Sequence, residues 1–101
     1  MNKQLQEAGF QRRTYKETED YKVYLEEIHG CVVVHVAIYK ARPSVIREIK
    51  KQWFDVATKT YAAGYDKLYA YTKDRRIIDY IGNATLIDVS NGYEVWEWDL
   101  N

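Results

Sequence analysis
The chain has 101 residues, with 15 basic and 15 acidic side chains and a formal net charge of zero. That size suits one small domain, and the charge balance argues against an electrostatic hold on nucleic acid or anionic lipid. No apolar run is long enough to span a bilayer, and "MNKQLQEAGF" lacks the apolar core of a signal peptide.

In chain order, residues 2–8 read as a short helix stopped by Gly9. "FQRRTYKE" (10–17) and "DYKVYLEEI" (20–28) read as strands joined by a polar turn at Thr18 and Glu19. In the second strand Tyr21, Val23 and Leu25 share one face, and Lys22, Tyr24 and Glu26 the other. "HG" (29–30) supplies the next turn. "CVVVHVAIYK" (31–40) is the strongest strand, a β-branched run expected to be buried on both sides.

The apolar period then changes. Pro43 and Ser44 suit a helix start, and Val45, Ile46, Ile49, Trp53, Val56, Ala57, Thr60 and Tyr61 recur at helical spacing as far as Gly64. "KLYAYT" (67–72) reads as a strand and "KDRRIIDYI" (73–81) as a short helix ended by Gly82. "ATLIDV", "SNGY" and "EVWEWDL" read as a closing hairpin with a type I′ turn at Asn91-Gly92. The expected order is (α)βββ-α-β-α-ββ in one α+β domain over 1–101, with a long and a short helix packed on the sheet.

Few residues point to chemistry. His35 has a side chain suited to proton transfer near neutrality, although a lone histidine in such a strand reads first as a core residue with a satisfied ring. Cys31 reads as a small buried hydrophobe. As the sole cysteine it excludes an internal disulfide and points to a reducing compartment. With two histidines beside it, the chain has too few soft donors for a structural zinc site, so no metal is expected. Ten tyrosines and three tryptophans exceed the needs of a small core and suggest an interface. The candidate partner-binding residues are Tyr69, Tyr71, Arg75, Arg76, Trp96 and Trp98, with the arginines placed to grip an acidic or phosphate-bearing partner. Were "WEWDL" an edge strand, its backbone would invite another chain.

From Val32 to Leu100 the succession "VVVHVAIYK", amphipathic helix, "KLYAYT", short helix closing on "YIGN", and "ATLIDVSNGYEVWEWDL" resembles the C-terminal part of a GCN5-related N-acetyltransferase (GNAT) fold. It also has a similar look to small GNAT-like tailed-bacteriophage proteins of internal virion or head-assembly type. The resemblance implies a mixed, mostly antiparallel sheet. It also implies a coenzyme A pyrophosphate loop of the form Arg/Gln-x-x-Gly-x-Gly/Ala between the buried strand and the long helix. The matching stretch here is Lys40-Ala41-Arg42-Pro43-Ser44-Val45-Ile46-Arg47. Arg42 stands for the leading arginine, but Val45 and Arg47 occupy the small-residue positions, and Pro43 removes an N–H donor. The residues left for a coenzyme are Arg42, Ser44, Val45, Ile46 and Arg47. Tyr80, two residues before Gly82, is the nearest match to the tyrosine that protonates the leaving thiolate, and Asn83 replaces the family's phenylalanine. The resemblance, with its loop lost, therefore implies a non-catalytic phage protein without a cofactor, a virion or assembly component or a small effector against a host protein, working in the virion or host cytoplasm by protein contact or self-association. The alternative is a minimal acyltransferase using acetyl-coenzyme A.

Overall fold
The computed structural model describes residues 11–101; the helix expected over 2–8 lies outside the described residues. Strands β1 (Gln11–Glu17), β2 (Tyr21–Ile28) and β3 (Cys31–Ile38) are followed by helix α1 (Pro43–Ala62) and β4 (Lys67–Thr72). Helix α2 (Arg76–Ile81) and the hairpin β5 (Thr85–Ser90) and β6 (Tyr93–Asp99) complete the chain. The fold is α+β, a six-stranded sheet in the order β1-β2-β3-β4-β6-β5 with one long and one short helix. Every neighbouring pair is antiparallel except β3 and β4.

The tight turns follow from residues that tolerate positive φ. Ile28 pairs with Cys31 across His29-Gly30, whose φ values are 52° and 79°. Ser90 pairs with Tyr93 across Asn91-Gly92, at 54° and 80°. Two central residues with positive φ are the type I′ requirement, which matches the right-handed twist of the flanking strands. At the β1–β2 turn the Thr18 hydroxyl accepts from the N–H groups of Asp20 (3.1 Å) and Tyr21 (3.2 Å), satisfying donors that a turn would otherwise leave open.

Strands β3 and β4 run parallel, so no hairpin can join them and the chain must cross over. Helix α1 is that crossover. Its residues Val45, Ile49, Val56, Ala57 and Thr60 are buried, and their apolar members pack with Val23, Val34, Leu68, Ala70 and Trp98 of the sheet and Ile78 and Ile81 of α2. Both helices therefore cover the same sheet face. Helix α1 has Lys59 in its last turn, where a cation complements the C-terminal end of the helix dipole.

Several local expectations change. Tyr61 extends the apolar period of α1 but is 53% exposed, whereas its neighbour Thr60 is the buried residue of the final turn. Helix α2 starts at Arg76 rather than at residue 73: Thr72 Oγ1 accepts the N–H of Asp74 (2.9 Å) and Asp74 Oδ1 that of Arg76 (3.0 Å), so a side-chain-capped turn occupies the first residues of that segment. β3 is covered by helix on one face only. Cys31 is exposed rather than buried, since it sits at the turn end of β3 opposite Ile28.

Leu68 is fully buried beneath both helices. Leu68→Ala should lower unfolding stability by about 2–5 kcal/mol, whereas Tyr61→Ala should change it by no more than about 0.5 kcal/mol. Urea denaturation followed by circular dichroism measures both, and similar losses at the two positions would contradict this core.

Candidate functional site
The parallel β3–β4 ladder is short: Val33 pairs with Tyr69 and Val34 with Ala70. Beyond these residues no register pair joins the two strands, and a cavity of about 560 Å³ opens at their carboxyl ends. Such a position, outside the carboxyl ends of parallel strands, commonly receives ligands in open α/β sheets. Val34, Val36 and Ile38 form one wall and Ala70 and Tyr71 another, while α1 contributes Ile46 and Trp53 and α2 contributes Ile77, Tyr80 and Ile81. Arg42, Asp74 and Arg76 are the charged residues of the lining.

The five coenzyme candidates separate here. Arg42 and Ile46 line the cavity. Val45 is buried in the core and Arg47 is exposed, so neither crowds the cavity mouth as their place in the loop pattern suggests. Ser44 is exposed and does not cap the helix: Arg42 is the N-cap, with extended backbone and no side-chain cap bond, and Pro43 follows at the first helical positions. The Arg42 guanidinium donates to Asp20 Oδ1 at 2.7 Å. Asp20 is held in turn, because its carbonyl accepts the N–H groups of Tyr39 (2.8 Å) and Lys40 (3.1 Å). The ion pair thus pins the β3–α1 junction to the β1–β2 turn, and its guanidinium is already engaged.

The catalytic candidates stand on different sides of the sheet. Tyr80 lines the cavity, with Lys50 Nζ 4.9 Å from its ring centroid and 3.4 Å from its carbonyl oxygen. His35 alternates with Val34 and Val36 and points to the other face. There its Nε2 lies 2.9 Å from Oε1 of buried Glu26, and its ring stacks on Tyr24 at 4.8 Å. The ring is satisfied, as expected for a histidine in this strand. An acid at Tyr80 and a base at His35 have the sheet between them.

The six partner-binding candidates also divide. Trp98 is 2% exposed and its Nε1 donates to the carbonyl of Gly82 at 2.8 Å, so it is core. Arg75 lies over the Trp96 ring (5.5 Å) and bonds both carboxylate oxygens of Glu94 (3.3 and 2.6 Å). Arg76 is bound to Asp74 at 2.6 Å. Tyr69 and Tyr71 lie on the opposite face. Burial first, and then Glu97, raises the Tyr69 phenol pKa, and Tyr71 stacks on Tyr93 at 5.7 Å. Arg75 is thus engaged at Trp96 and Glu94 rather than at these tyrosines, while Tyr71 and Arg76 both border the cavity.

The condition set for "WEWDL", that it lie at an edge, is not met. β6 is paired on both sides, by β4 and β5, while β5 is an edge with all six residues exposed. Its signal was the low charge of "TLIDVS", although nothing in that run indicates strand order. Among the described residues no group of His, Cys, Asp and Glu side chains is arranged to hold a metal ion, and no helix is long and apolar enough to cross a membrane.

Hydrogen bonding to Arg75 lowers the pKa of Glu94, and bonding to Arg76 lowers that of Asp74. A carboxylate with a depressed folded pKa contributes stability that is present above its unfolded value and lost as pH falls through the folded value. The melting temperature should therefore drop on acidification below about pH 4.5, and Glu94→Gln should remove part of that drop. Thermal melts across pH check this, and a Glu94→Gln curve parallel to wild type throughout would contradict it. No family model, curated protein or solved structure matches the chain.

Proposed function
We propose that this chain is a non-catalytic protein of GNAT-like type, similar to small tailed-bacteriophage internal virion or head-assembly proteins. It acts by contact with protein chains, in the virion or the host cytoplasm. The likeness is supported by a three-stranded meander, a long crossover helix, a strand parallel to the meander's last, a short helix and a hairpin. The observation that carries the non-catalytic reading is the chemistry of the β3–α1 junction. Pro43 offers no N–H, no glycine lets the backbone approach a diphosphate, and the one arginine lining the cavity at that turn is paired with Asp20.

A second reading, transfer of an acyl group from acetyl-coenzyme A to an amine, has one point in its favour. Arg42 and Tyr80 line the same cavity, and so does Trp53, whose buried Nε1 has no hydrogen-bond partner. Against it, the carboxylate on that side, Asp74, is bound to Arg76, which lowers its pKa, and His35 and Glu26 engage each other on the other face.

Isothermal titration with acetyl-coenzyme A separates the readings. The expected result is no saturable heat at coenzyme concentrations up to about 500 μM, well above a micromolar dissociation constant. Saturable micromolar binding that Arg42→Ala abolishes would establish the second reading instead.

A further inference from the structure
The cavity at the carboxyl ends of β3 and β4 has an apolar interior. Val34, Ala70, Ile78 and Ile81 line it and are themselves buried, so its inner walls are core side chains. A volume of about 560 Å³ falls within the range of small-molecule pockets, and a mainly apolar lining with a few polar groups is their usual composition.

The charged groups of the lining are matched. Arg42 is bound to Asp20 (2.7 Å), and Asp74 takes three bonds from the Arg76 guanidinium, at 3.0, 3.0 and 2.6 Å. Neither pair presents a net charge. Lys50, at the border of the cavity, differs. It lies between Ile46 and Trp53 on α1, four residues after the one and three before the other, so all three share the stripe that faces the cavity. Its Nζ reaches across to α2, where it meets the Tyr80 carbonyl at 3.4 Å and the Tyr80 ring at 4.9 Å instead of a carboxylate. A carbonyl accepts one of the three ammonium donors and leaves the charge uncompensated.

We propose that this cavity binds a small aliphatic monocarboxylate of medium chain length, its apolar body between the strands and the two helices and its carboxylate paired with Lys50. The body gains by leaving water in proportion to the apolar area it buries. A carboxylate drawn to the edge of such a cavity must be paired, and Lys50 supplies both the opposite charge and the remaining donors. One uncompensated cation answers one negative charge. A diphosphate carries more, and needs main-chain N–H groups at a turn where Pro43 has none. The ligand class is therefore distinct from a coenzyme. The site goes beyond the reading of the chain as a contact protein, and neither depends on the other.

Isothermal titration with sodium octanoate up to about 5 mM tests this, since a ligand of that size reaches about millimolar affinity or better. Saturable binding is expected, about fourfold tighter than that of heptanoate, the effect of one buried methylene. 1-Octanol should bind more weakly than octanoate, and octylamine, cationic at neutral pH, more weakly still. Lys50→Met should weaken octanoate about tenfold or more and leave 1-octanol unchanged, while Lys51→Met, one position along α1, should alter neither. Ile46→Trp, which fills the cavity, should abolish binding of both. Far-UV circular dichroism and melting temperature confirm that each variant is folded. The proposal is overturned if octanoate gives no saturable heat, if chain length has no effect, or if octylamine binds as tightly. It is equally overturned if folded Lys50→Met or Ile46→Trp binds octanoate as wild type does. Displacement of octanoate by micromolar coenzyme A would also overturn it, assigning the cavity to the coenzyme.

Discussion

The parallel pairing of β3 with β4 is the constraint on which the rest of the structure depends. Two register pairs, Val33 with Tyr69 and Val34 with Ala70, join the meander to the β4-β6-β5 unit. A parallel pair requires a long connection, so the segment between Ile38 and Lys67 becomes a crossover helix that must bury an apolar stripe on one sheet face. That helix places Val45, Ile49, Val56 and Ala57 over Val34, Leu68 and Ala70. Because the ladder is so short, the carboxyl ends of the strands lack a shared register and leave the cavity into which Arg42, Ile46 and Tyr80 are gathered. The core, the crossover and the cavity are consequences of one pairing.

With both helices on one face, the other face must satisfy its groups within the sheet. It does so in pairs. Tyr24 stacks on His35, which bonds Glu26; Lys67 lies 3.8 Å from Glu97, and Tyr71 stacks on Tyr93 beneath Lys73. Side chains engaged in this way have less to gain from a new partner, since any replacement contact must first match the one lost. The aromatic residues of this face are therefore numerous but mutually engaged.

The local structure was legible because it depends on near neighbours. His29-Gly30 and Asn91-Gly92 accept positive φ, and the 3.6-residue spacing from Val45 to Thr60 identifies the buried stripe of α1. Trp96 and Trp98 on one face of β6, with Glu97 and Asp99 on the other, follow from a period of two. What depends on distant parts of the chain was not legible. Strand order depends on which strand of the hairpin pairs with β4, and β6 occupies that place, leaving β5 outside. Sequence proximity set Arg75 and Arg76 beside Tyr69 and Tyr71, yet the intervening turn carries the arginines to the helix-bearing face, where Glu94 and Asp74 bind them. The obstruction assigned to Val45 also required the helix phase: its side chain turns into the core, so Pro43, the paired Arg42 and Ile46 shape the junction.

The same geometry separates the chemical groups from one another. Proton transfer requires the acid and base to reach one bound substrate, within hydrogen-bond distance or through one water. Tyr80 stands at the cavity on the helix-bearing side, while the His35–Glu26 pair is stacked beneath Tyr24 on the far side. A change of side-chain rotamer cannot bring them together, because strand alternation fixes which side of the sheet each residue occupies, and a one-residue register slip would turn the buried valines of β3 outward. Moving His35 to the cavity face would therefore sacrifice the packing of Val34 and Val36 that forms the cavity wall. Catalysis from Tyr80 and His35 together therefore conflicts with the core that holds the cavity open.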